Sequence, residues 1–156
     1  MLCSRSVTIA LVGLLGLLMA ARQVHAQDAM LQPSKDPAVF KAQLLQATQL
    51  TRKNIRDIQA LSPDDSSPLD PAVTESCHRV YALLRAAQWG MNVAIGQQTY
   101  KDPLLVLAQK KTEEAWNLTR ESAQSWGGTR AEYISRSVEN LSRSLRLAQQ
   151  ALAMLP

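Results

Sequence analysis

The chain has 156 residues and a mass of 17.2 kDa. Hydrophobic residues make up 46%, charged residues 19% and aromatics 4%, and 17 basic against 13 acidic residues give a net charge of +4. This composition excludes a disordered chain, a collagen-like chain and a disulfide-dense miniprotein, and it names no activity.

The first predicted element is a targeting segment. Arg5 precedes an apolar run of 15 residues from Val7 to Ala21. As a helix that run reaches about 22 Å, short of the roughly 30 Å hydrocarbon core of a bilayer. Val24-His25-Ala26 places small residues at −3 and −1 of a cleavage site. The pattern predicts a secretory signal peptide over residues 1–26, cleaved after Ala26, and a mature protein beginning at Gln27 in the periplasm or outside the cell. No cysteine stands at the cut, and twin arginines are absent. The mature chain is expected to have no integral membrane span.

Cleavage removes Arg5, Arg22 and Cys3, leaving 15 basic and 13 acidic residues and a charge of +2. No concentrated basic stripe remains, so nucleic acid is not an expected partner. Cys77 is then a lone thiol. It has no internal disulfide partner; its place on a helix face predicts a buried small residue, against an intermolecular disulfide or a reactive thiol.

Residues 27–36 (QDAMLQPSKD) lack periodicity and read as a flexible leader. Residues 37–156 divide at strong breakers into four segments of helical period. The first runs from about Pro37 to Leu61 and opens with Asp36-Pro37, an N-cap followed by proline at the first helical position. Phe40, Leu44, Ala47, Thr51, Ile55 and Ile58 line its apolar face. Ser62 to Leu69 form a polar linker. The second helix, about Pro71 to Gln98, opens with Asp70-Pro71 and carries Val73, Cys77, Val80, Leu84, Ala87, Met91 and Ile95 on one face.

The third opens with Asp102-Pro103 and ends at Gly127-Gly128. Its face is small: Leu104, Leu105, Ala108, Thr112, Ala115, Thr119 and Ala123, with Trp116 and Trp126 as the bulky members. The fourth follows Thr129-Arg-Ala-Glu132, a capping box in which Thr and Glu side chains each satisfy a free backbone N–H. Ile134, Val138, Leu141, Leu145, Ala148, Leu152 and Leu155 repeat along it. Glu132–Arg136 and Glu139–Arg143 have the spacing of helical ion pairs. Four amphipathic helices on short connections predict an all-α protein, an up-down-up-down four-helix bundle.

The familiar chemistries of helical bundles find no residues here. Glu75-x-x-His78 is half of a di-iron signature, and the mature chain has no second histidine. Cys77 and His78 point about 100° apart on a helix and cannot chelate one ion together. Met91 lies about 20 Å from His78 along the axis, too far for a shared haem. No nucleophile-elbow motif occurs, and the four apolar faces contain almost no charge. The expectation is therefore no catalytic residue, no cofactor and no metal. Asn117 and Asn140 head glycosylation sequons, but both fall inside predicted helices.

One surface is unusual. With Leu84 at the centre of the second helix's core face, Ala82, Ala86, Trp89, Val93 and Tyr100 fall on the opposite side, where a bundle helix should be polar. Three readings suit this stripe: cover by the leader through Met30 and Leu31 or by an irregular bundle, a second copy forming a homodimer, or another protein. Trp and Tyr are frequent anchors of interfaces, and small neighbours admit a close helix. Gly90 lies in an Ala82/Ala86/Gly90/Ala94 run and destabilises the helix unless the space is used. The functional expectation is an exported, non-enzymatic interaction module (adaptor, chaperone, inhibitor or immunity-type factor) acting through an apolar helical face. The alternative is a periplasmic carrier or small all-helical enzyme using the bundle interior.

Overall fold

The computed structural model describes residues 30–65, 70–124 and 128–156, so the predicted signal peptide and its cleavage site lie outside the described residues, as does Trp126. The described residues form four helices and no strand: α1 (Pro37–Gln59), α2 (Pro71–Gly96), α3 (Pro103–Gln124) and α4 (Arg130–Met154). No helix among them is long and apolar enough to cross a membrane.

The helix starts follow from local chemistry. Asp36, Asp70 and Asp102 each accept a bond at 2.9 Å from the N–H two residues on, at Ala38, Ala72 and Leu104. Each satisfies one of the four free donors of a helix N-terminus. At α4 both halves of the capping box form: Thr129 Oγ1 accepts from Glu132 N, and Glu132 Oε2 accepts from Thr129 N at 2.9 Å. That bond turns Glu132 back toward the cap rather than forward to Arg136. Gly128 precedes the cap with φ of +117°, a conformation that favours glycine.

Each helix packs against its neighbours in sequence, and α4 closes back on α1. Neighbours run antiparallel. Asn54, late in α1, meets Ser76 and Cys77, early in α2. Tyr81 of α2 stacks near Trp116 of α3. Lys111 and Thr119 of α3 bond Gln150 and Ser144 of α4 in reverse order. Lys41 of α1 donates to the Pro156 carbonyl.

The interior is apolar at its largest side chains, with Phe40, Leu44, Ile58, Leu83, Leu84, Met91 and Leu141 fully buried. Between them runs a seam of small and polar residues. Ala108, Thr112, Ala115, Thr119 and Ser122 of α3 are buried, as are Ser137, Ser144, Ala148 and Ala151 of α4. Thr112, Thr119 and Ser122 donate to the carbonyls of Ala108, Ala115 and Leu118 in their own helix. Thr119 Oγ1 and Ser144 Oγ lie 2.8 Å apart, both bonded to the Ala115 carbonyl. Small side chains, with the hydroxyls of Thr112, Thr119, Ser122 and Ser144 bonded, let α3 and α4 approach closely at little desolvation cost.

Several expected core positions need correction: Ile55, Val73, Ile95, Ala123, Ile134, Val138 and Leu152 are only half-buried. Leu104, in the first turn of α3, is 54% exposed. Leu145 is only half-buried; the innermost line of α4 passes through Ser137, Leu141, Ser144, Ala148 and Ala151.

Candidate interaction face

On α2 the buried arc runs from Ala86 through Gly90, Leu83, Ala87 and Met91 to Leu84 and Gln88. At 100° per residue this is about 200° of the wheel, centred nearer Ala87 than Leu84. A helix with a neighbour on each side buries more than one stripe, and α2 packs on both α1 and α3. The five residues expected on one outward stripe therefore separate. Ala86 is 3% exposed and belongs to the buried arc, which corrects its assignment to the surface. Ala82 is half-buried. Trp89 and Val93 stay outside, 55% and 44% exposed, one helical turn apart.

Tyr100 is 91% exposed, but it lies on the connector between α2 and α3. The helix stops at Gly96, where the Gln97 N–H bonds the Ala94 and Ile95 carbonyls in a tightened final turn. The wheel position of Tyr100 therefore has no helix beneath it.

Gly90 has the close neighbour that its presence in mid-helix called for. A β-carbon there would collide with the carbonyl oxygen of Ser34, so the backbone leading into α1 crosses α2 at this residue. This crossing occupies the Gly90 edge of the buried arc; on the wheel Val93 lies about 60° beyond Gly90 and Trp89 about 40° further, nearly opposite Ala87.

From Trp89 the exposed face turns toward α3. Tyr81, Arg85, Trp89 and Val93 repeat at i, i+4 along α2 and are neighbours on its surface. Tyr81 meets Trp116 of α3 with ring centroids 5.7 Å apart, and the Arg120 guanidinium lies 5.8 Å from the Trp116 ring centre. Arg85 and Arg120 are both exposed. Trp116 is half-buried, and its indole N–H has no hydrogen-bond partner among the described residues. Tyr81, Trp116 and Arg120 thus meet between α2 and α3, and Arg85, Trp89 and Val93 carry the exposed surface on over the back of α2. Tyr81, Trp116 and Arg120 were not evident as part of this face, because no spacing within one helix brings α3 beside α2. Only the i, i+4 step from Trp89 back to Arg85 and Tyr81 was available as a signal.

Cys77 is an enclosed thiol. Cys77 is 1% exposed in a cluster with Ile58, Tyr133 and Leu141. Burial pushes its pKa up to about 11, against a smaller lowering by the Asn54 side chain, whose amide donates to Cys77 Sγ at 3.5 Å. A protonated, enclosed sulfur is neither a nucleophile nor available for an intermolecular disulfide. His78 is exposed beside it in sequence. Among the described residues no three His, Cys, Asp or Glu side chains gather as metal ligands.

No protein-family model, curated protein or solved structure matches the chain.

Proposed function

We propose that the chain is an exported, non-enzymatic protein-interaction module: an up-down-up-down four-helix bundle, released by cleavage after Ala26, that docks another protein on the outer face of α2 and the adjoining edge of α3. The observation that carries this reading is the exposure of Trp89 and Val93 one turn apart on α2. A tryptophan that a fold does not bury contributes little to its stability, yet at an interface it can contribute about 2 kcal/mol or more. Tyr81, Trp116, Arg85 and Arg120 extend the face with the residue types most frequent at binding hot spots. Roles as an adaptor, chaperone, inhibitor or immunity-type factor all use such a face.

The test compares the exported protein with its Trp89→Arg variant. Co-purification of a defined partner from the native extract, lost in Trp89→Arg and kept in Leu45→Ala, is the expected result. Leu45 is exposed on α1 and serves as a control for nonspecific stickiness. Trp89→Ala should change stability by less than about 1 kcal/mol in urea melts. Reversible dimerisation abolished by Trp89→Arg would assign the face to a second copy. A stability loss of about 3–5 kcal/mol with no change in association would make Trp89 a packing residue and end the proposal.

A further inference from the structure

A second feature lies at the end of the helices remote from Cys77. There the start of α1, the end of α2, the start of α3 and the end of α4 enclose a cavity of about 310 Å³. Its floor is apolar. Phe40, Leu105 and Leu155 reach it from three helix ends, each at least nine-tenths buried, and Ala94 lines its α2 side. Its rim is polar, with Lys35, Gln97, Gln98 and Asp102.

Two of the rim groups are already engaged. Asp102 Oδ1 caps the Leu104 N–H, and the Asp102 N–H donates to Gln98 Oε1, both at 2.9 Å. The Asp102 carboxylate therefore faces the positive end of α3, which offsets its charge. Among the described residues the Lys35 ammonium and the Gln97 amide remain uncommitted, and both offer donors. The volume is at the small end of the range of about 300–1,000 Å³ for ligand sites, and an apolar floor with a few converging polar groups is the usual lining of such sites. A donor-rich rim over an apolar floor matches an acceptor head on a short hydrocarbon tail.

We propose that this cavity is a binding site for a small aliphatic carboxylate, its tail on Phe40, Leu105 and Leu155 and its head on Lys35 and Gln97. Gln97 lies one turn beyond Val93 and two turns from Trp89, and the proposal does not depend on the docking reading. The tail supplies most of the affinity, since an ion pair at an exposed lysine contributes little.

Calorimetric titration of the exported protein with hexanoate, heptanoate and octanoate tests this. One-to-one binding that tightens about fourfold per methylene is expected, as each added CH₂ leaves water for the apolar floor. Ala94→Phe fills the cavity and should weaken octanoate binding at least about tenfold. Lys35→Met, at an exposed position, should weaken octanoate but not octanol, which keeps the test valid if Ala94→Phe fails to fold. Trp89→Arg should leave octanoate binding unchanged, so loss of the docking face and loss of this site are told apart. No saturable octanoate binding, an affinity indifferent to chain length, or binding unmoved by both Ala94→Phe and Lys35→Met would overturn the proposal.

Discussion

At Leu141 and Leu145 the helix wheel and the folded chain part company, and the difference is measurable. Leu141 is fully buried, whereas Leu145 sits on the flank of α4. Leu141→Ala should cost about 2–5 kcal/mol by leaving a cavity, and Leu145→Ala distinctly less, because its site can relax toward solvent. Urea melts giving equal losses would place the α4 seam wrongly. Cys77 makes a second prediction, with a definite sign. Its pKa rises from 9.0 to about 11 on folding, so the folded state holds the thiol proton more tightly than the unfolded chain. The associated stability is fully present below pH 9 and is lost as pH rises toward 11. Tyr133, also raised chiefly by burial, adds a loss of the same sign. Stability measured across this window should fall less steeply in Cys77→Ala than in the parent. An unchanged slope would mean that Cys77 is solvated.

At the scale of the helix, what was legible in the sequence is what local bonds decide. Three Asp-Pro starts and one Thr-x-x-Glu box place the four N-termini, because capping involves only residues two or three apart. The faces were less legible. Gln43, Asn54, Ser137 and Ser144 are buried although their types suggest solvent. For Asn54 and Ser144 the compensating bonds come from other helices, to Ser76 and Cys77 and to Thr119 and Ala115. No periodicity in one helix announces such partners. The candidate face suffered in the same way: Ala86 was counted outward because a neighbour on each side of α2 widens its buried arc. Gly90 gives the element-scale prediction. Alanine usually stabilises a helix by about 1 kcal/mol over glycine. Here Gly90→Ala should not raise the melting temperature, since its methyl meets the Ser34 carbonyl. Hydrogen exchange at Lys35 and Asp36 should quicken as that backbone is displaced. A higher melting temperature with unchanged exchange would show that the crossing is loose.

At the scale of the whole molecule, the principal helix pairs among the described residues are formed by neighbours in sequence, with one exception. Such local pairings impose little loop-closure cost on folding. The exception is α1 with α4, which brings the beginning and end of the helical unit to one place: Lys41 bonds the Pro156 carbonyl, and Pro37 and Pro156 border the same cavity. A ring of four helices closed in this way has no privileged first member. Joining residue 156 to residue 33 by a short glycine-serine bridge and opening the chain between Ser62 and Leu69 would preserve every helix pair while making α2 the first to emerge from the ribosome. Order of synthesis and order in space are therefore separable in this protein, and the rearranged chain should reach the same helical content and a similar melting temperature. The Ser34–Gly90 crossing would then be made by a segment that follows α2 rather than one that must wait for it.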